Sequence, residues 1–303
     1  MKTIKKIKLK PKRNTKKLWS HGNINSELTS ESRVKKVVKL IDNLKVYDIK
    51  KELNIHLPPS NQHHSGRCWL FAYLNSLRLS TIVHYKLHET FSFSSSYLLF
   101  WDKYEKCKYF LQKVSHYSNL SLNDINNHLL FHNMISDGGT WNMLRSLVEK
   151  YGVVPYKDMK DSYHTIDTDQ LNSVLFNLLR TTSNKIRSSS KKDHSKIIEK
   201  QMKKIHLFLK KAIGEPPKKV RLVKNKPYYI PKTFFQKCIA SLPNNKLNTQ
   251  IILIHVPNLK LNQYYTISEL KNMKEGHEVL YFNTSIPIIK DAVVEQLSQK
   301  TPV

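Results

Sequence analysis

The segment Asn61-Gln-His-His-Ser-Gly-Arg-Cys-Trp-Leu-Phe71 sets Cys68 between an arginine and a tryptophan, with the amide of Gln62 a short way upstream. A thiol attacks an amide carbonyl only as the thiolate, so a nucleophilic cysteine needs its pKa lowered. A helix start contributes, because its unpaired N–H groups carry partial positive charge worth about 0.3–1 kcal/mol; a histidine normally supplies the rest. The tetrahedral oxyanion needs donors, commonly a backbone N–H and a side-chain amide, each worth about 2.7–4 kcal/mol. Cys68 opening an apolar helix, with Gln62 free to swing toward it, therefore suits acyl transfer. The competing reading is a buried thiol at a helix start, the ordinary fate of cysteine.

The elements that must position these residues are legible in outline. "LPPS" stops anything helical before Ser60, and "CWLFAYLNSLRLSTIVHYKL" is apolar nearly all round for two turns, as a buried helix is. "FSFSSSYLLFWDKYEKCKYFLQKVSHY" predicts a short extended approach and a second long helix. "SDGGTWNMLRSLVEKYG" predicts a glycine turn, a third helix from about Trp141 and a stop at Gly152. Residues 165 to 213 read as helical and strongly basic, interrupted by the serines at 188–190. Beyond "GEPP", the runs "PYYIPKTFFQKCI", "TQIILIHV" and "HEVLYFN" are rich in β-branched and aromatic residues. Helices first and strands later predict an α+β protein.

Composition bounds the function. The 303 residues carry a formal net charge of +28, and residues 1–20 alone hold nine basic side chains and no acidic one. We expect a basic mobile tail over 1–38 and a folded domain over 39–303, with a basic helical insertion at about 165–225. Such charge attracts nucleic acid or other anionic partners, although the excess of Lys, Asn, Ile and Ser is equally that of AT-rich coding sequence. Three cysteines, Cys68, Cys107 and Cys238, are too few for a disulfide framework and point to a reducing compartment. No apolar run reaches the roughly 18 residues of a membrane span, so a cytoplasmic protein without membrane association is expected. His84, His88, His116, His128 and His132 form no convincing metal set, and no cofactor is called for.

The string Gln62-x-x-Ser65-Gly66-Arg67-Cys68-Trp69-Leu70-Phe71-Ala72, continued by Leu74, Asn75 and Arg78, resembles the active-site segment of the bleomycin hydrolase and aminopeptidase C family of papain-like cysteine peptidases. "FSFSSSYLLFWDKYEK" and "SDGGTWNMLRSLVEKYGVVP" resemble further landmarks in the same order; "GEPP" and "VLYFNTSIPIIKDAV" do so less sharply. The likeness covers roughly residues 40 to 295. It implies a papain-like fold with an N-terminal helical half and a thiol aminopeptidase acting on peptides without metal or cofactor. Cys68 would be the nucleophile, Gln62 and the Cys68 N–H the oxyanion donors, and Gly138 and Gly139 the residues that align substrate. Family members form hexamers with sites facing an inner channel, and some bind DNA through a basic lining.

The same likeness implies a histidine base in a His-Ala context and an Asn-Ser-Trp-Gly segment, and neither occurs. His194 and His206 lie in lysine-rich helical sequence, and His255 and His277 fall where the family has strand residues that are not the base. The chain is thus expected to stop before that segment, leaving the C-terminal half-barrel incomplete. Two functions follow: a cysteine peptidase, or a catalytically dead homologue serving as a basic scaffold or nucleic-acid binder. His63 and His64 are expected as exposed loop residues, Arg67 as either a surface ion-pairing residue or an influence on the thiol. Cys107 and Cys238 are expected as inert thiols, and Trp69, Phe71, Trp101 and Trp141 as core.

Overall fold

A computed structural model describes residues 57–132, 134–242, 245, 247, 251–267 and 270–298; the expected tail over 1–38 lies outside them. After Pro58 and Pro59, helix α1 (Cys68–Tyr85) starts at the thiol itself. The Arg67 carbonyl accepts the N–H groups of Leu70 and Phe71, both at 3.0 Å. Leu70, Tyr73, Leu74 and Leu77 bury the inward face of α1, and the helix ends at Lys86 in the left-handed conformation.

Helix α2 (Ser95–His116) is capped by Ser94, whose side chain accepts the Tyr97 N–H. It is buried on most of its circumference: Leu98, Leu99, Phe100, Phe110, Leu111 and Val114 are joined there by Asp102, Lys103, Glu105 and Lys106. A helix in that position is the spine of its domain. Helix α3 (Ile125–His132) follows, then α4 (Trp141–Tyr151), capped by Thr140 and stopped by Gly152 as the sequence predicts.

Gly152 has φ 77, and a Cβ added there would run into the carbonyl of Pro231. That backbone region costs a non-glycine residue about 1–3 kcal/mol before any clash. Gly152→Ala is expected to lower unfolding stability by about 2–3 kcal/mol, measured as a fall in urea midpoint at unchanged slope.

A single turn, α5 (Tyr163–Ile166), leads into α6 (Asp169–Arg187) and α7 (His194–Ala212). Leu171, Leu175 and Leu179 on α6 and Met202, Ile205 and Leu209 on α7 recur at helical spacing and are buried. Helices α2, α6 and α7 pack pairwise, so the basic helical region shares the core of the second long helix.

The aromatic run around Phe234 does not form a strand. Pro231 takes the first position of a short helix, α8 (Pro231–Phe234), which continues as a π-turn over Phe235–Ile239. Its fixed φ favours a helix start, and Phe234, Phe235 and Ile239 are buried together. Strands do form at β1 (Ile252–Ile254), β2 (Gln263–Tyr265) and β3 (Tyr281–Asn283), ordered β1-β3-β2. β3 pairs parallel with β1 and antiparallel with β2. The Asn283 amide, fully buried, donates to the carbonyls of Val256, Leu259 and Lys260 and accepts the Val256 N–H. Helix α9 (Ile286–Ser298) follows. The α+β class is borne out. Among the described residues no helix is long and apolar enough to cross a membrane.

Candidate active site

Cys68 is exposed at the first position of α1, where backbone N–H groups have no acceptor within the helix. The buried-thiol reading is thereby removed for this residue. It holds for Cys107, which is fully buried and whose thiol burial pushes up to about 12. Cys238 is half-buried, and burial raises its thiol too. Limited iodoacetamide on the native protein is expected to modify Cys68 first and Cys107 only after unfolding, as read by peptide mass spectrometry.

Arg67 is not a surface residue. Its side chain is 0% exposed and forms an ion pair with Asp161 at 2.7 Å. Its Nη1 also donates to Ser95 Oγ (2.9 Å), its Nε donates to Ser65 Oγ (2.8 Å), and its guanidinium sits over the Phe71 ring. Ser65 Oγ in turn donates to the Gln62 carbonyl at 2.6 Å. The arginine before the thiol therefore fixes the backbone of the segment that carries Gln62. Gln62 itself is half-buried, and its Oε1 is buried without a hydrogen-bond partner.

The other side of Cys68 is locked to Ser136–Gly139. Trp69 Nε1 donates to the Asp137 carbonyl at 2.8 Å. Gly66 and Gly139 are glycine because the two segments nearly touch: a Cβ on Gly66 would meet Asp137 Cβ at 2.6 Å, and one on Gly139 the Trp69 ring at 2.6 Å. Gly138 has open space around it. Two buried lysines of α2 hold this loop from below. Lys106 Nζ donates to the carbonyls of Ser136 (2.9 Å) and Gly138 (2.7 Å) and pairs with Asp102 at 2.7 Å. Lys103 Nζ pairs with Asp137 and donates to the Ser136 carbonyl at 3.2 Å.

Asp137 also accepts from Thr168 Oγ1 and Asn172 Nδ2, the latter at 3.0 Å. Burial alone would raise its pKa, but the Lys103 ammonium and these hydrogen bonds hold it well below the usual carboxylate range. The burial of Lys103 and Lys106, with Asp137 half-buried against them, was missed in the sequence. Its signal was a charged Asp-Lys-x-Glu-Lys run, 102–106, inside an otherwise apolar helix.

The histidines are placed elsewhere. His63 and His64 are exposed, as expected, and His64 is tied by its backbone to Ile166 and Thr168. His194 is buried against Ser115 Oγ at 2.9 Å. His206 packs edge-on against Phe100 and Tyr104, and burial lowers its pKa. His255 Nδ1 lies 2.8 Å from the Thr284 carbonyl, and His277 Nε2 is 2.6 Å from Glu149 Oε2. Among the described residues no histidine ring is hydrogen-bonded to Cys68. Trp69, Trp101 and Trp141 pack against the core, whereas Phe71 is only half-buried.

The profile of the Peptidase C1-like family matches residues 2–303. Aminopeptidase C of Listeria monocytogenes is 32% identical over 255 residues, covering 78% of this chain and 56% of the relative. Bleomycin hydrolase of Gallus gallus is 32% identical over 251 residues, 77% of this chain and 54% of the relative. That of Homo sapiens is 32% identical over 255 residues, 79% and 56%. The crystal structure of PepW from Lactobacillus rhamnosis aligns with a TM-score of 0.74 at 27% identity, covering 94% of this chain and 70% of that one. The chain spans about half the length of the curated relatives it matches.

Proposed function

We propose, from the premise that this chain belongs to the Peptidase C1-like family, that it is a cysteine-type aminopeptidase with Cys68 as nucleophile. The papain-like fold expected from the sequence is borne out by the likeness to PepW. The observation that carries the proposal is the exposure of Cys68 at a helix start, with the backbone held on both sides of it by buried ion pairs.

In the proposed reaction the Cys68 thiolate attacks the carbonyl of a peptide's N-terminal residue. The oxyanion is taken by the Cys68 N–H and the Gln62 amide. Collapse of the tetrahedral species breaks the C–N bond, the leaving amine takes a proton, and water then releases the acyl group from sulfur. The Gly138 and Gly139 backbone lies along the substrate, where the open space at Gly138 admits a second chain. The proton given up by the Cys68 thiol on forming the thiolate balances the one the leaving amine takes up, and among the described residues no histidine ring is hydrogen-bonded to Cys68 to carry it. Three free thiols favour a reducing, cytoplasmic setting.

The absence of a described histidine at Cys68 favours one second reading, a basic scaffold or nucleic-acid binder without turnover. A fluorogenic aminoacyl amide separates the two. Turnover abolished by iodoacetamide and by Cys68→Ala supports the peptidase; no turnover, with salt-sensitive DNA binding, supports the scaffold.

A further inference from the structure

We propose that a cavity behind the Gln62 segment binds a free α-amino acid with an apolar side chain. The cavity measures about 350 Å³, and Phe71, Leu74, Phe93 and Tyr156 give it an apolar wall. Two charged residues, Arg78 and Asp161, line it as well.

Arg78 is 4% exposed. Its Nη1 and Nη2 donate only to backbone carbonyls, those of Pro58 at 3.0 Å and Glu89 at 2.5 Å, and its Nε is buried without a partner. Among the described residues no carboxylate pairs with it. A buried cation is ordinarily paired, because desolvating it alone is costly. Asp161 supplies the opposite charge elsewhere on the wall. Its described hydrogen bonds, to Arg67, Ser96 and Thr165, all fall on Oδ1, so Oδ2 keeps its acceptor capacity. A carboxylate for Arg78, an ammonium for Asp161 and an apolar body for the aromatic wall together describe an apolar amino acid. Cys68, Gln62, Gly138 and Gly139 do not line the cavity, and Asp161 is shared with the Arg67 ion pair beside the thiol, so leucine binding is read by a signal other than peptide cleavage.

The test is leucine binding to the full chain by thermal shift and calorimetry. Leucine is expected to raise Tm saturably, 4-methylpentanoate and N-acetylleucine to bind more weakly, and 3-methylbutylamine not to bind. Arg78→Met is expected to weaken leucine by about tenfold or more, the loss of a charged hydrogen bond. Ser92→Leu fills the cavity from its wall while keeping the backbone bond from the Tyr156 N–H to the Ser92 carbonyl (2.9 Å); it should abolish the shift without lowering the Tm of the free protein. If Arg78→Met does not fold, Ser92→Leu decides alone. No leucine shift in the wild type, equal binding of the amine or of N-acetylleucine, or binding that survives Ser92→Leu overturns the proposal.

Discussion

Asp137→Ala is expected to cost about 3–5 kcal/mol of unfolding stability, the penalty for breaking a buried pair and leaving one charge uncompensated. Lys103, its partner, has a side chain 0% exposed; burial already lowers its pKa, opposed mainly by Asp137. The substitution also strips the acceptor from Thr168 and Asn172. The double variant Asp137→Ala, Lys103→Met should recover most of the loss, since an apolar pair of similar volume is tolerated where a lone charge is not. Urea titration of the two single variants and the double variant measures this coupling. Recovery of none of the loss in the double variant would show that the ion pair is not its source.

The same pair sets an acid limit. The folded-state pKa of Asp137 lies below the unfolded value of about 3.9. Its contribution is therefore complete above that pH and is lost as pH falls through the depressed folded value. Asp137→Asn should flatten the acid arm of the stability profile.

Cys68→Ala is expected to abolish peptide cleavage, a loss of about 10⁴-fold or more, while shifting stability by no more than about 0.5 kcal/mol because the side chain is exposed. Gln62→Ala should lower kcat by about 10²- to 10³-fold, the usual effect of removing one oxyanion donor. It should leave Cys68 alkylation by iodoacetamide largely unchanged, because that reaction forms no oxyanion. A Gln62 variant that slows alkylation as strongly as cleavage would instead place the glutamine in thiol activation.

Much of the frame was legible in the sequence because short-range rules governed it. The helix opening at Cys68 and the glycine ending α4 are each decided within one or two turns. Two features were not legible. Arg67, Lys103 and Lys106 look solvated in sequence, since long charged side chains are normally exposed. Their burial depends on acceptors as much as 94 residues away, Asp161 for Arg67 being the case in point. The aromatic run before Cys238 follows strand composition, but Pro231 and the burial of two adjacent phenylalanines turn it helical. By contrast, the sequence context already sets His194, His255 and His277 aside as the base for Cys68, and each of them engages another residue in the structure.

The central claim is that Cys68 is a peptidase nucleophile. Its most direct test is cleavage of a fluorogenic aminoacyl amide by the wild-type protein and by Cys68→Ala at matched concentration. Turnover is expected in the wild type, lost in Cys68→Ala and blocked by iodoacetamide with the label found on Cys68. Absence of turnover in the wild type, or turnover that persists in Cys68→Ala, would contradict it.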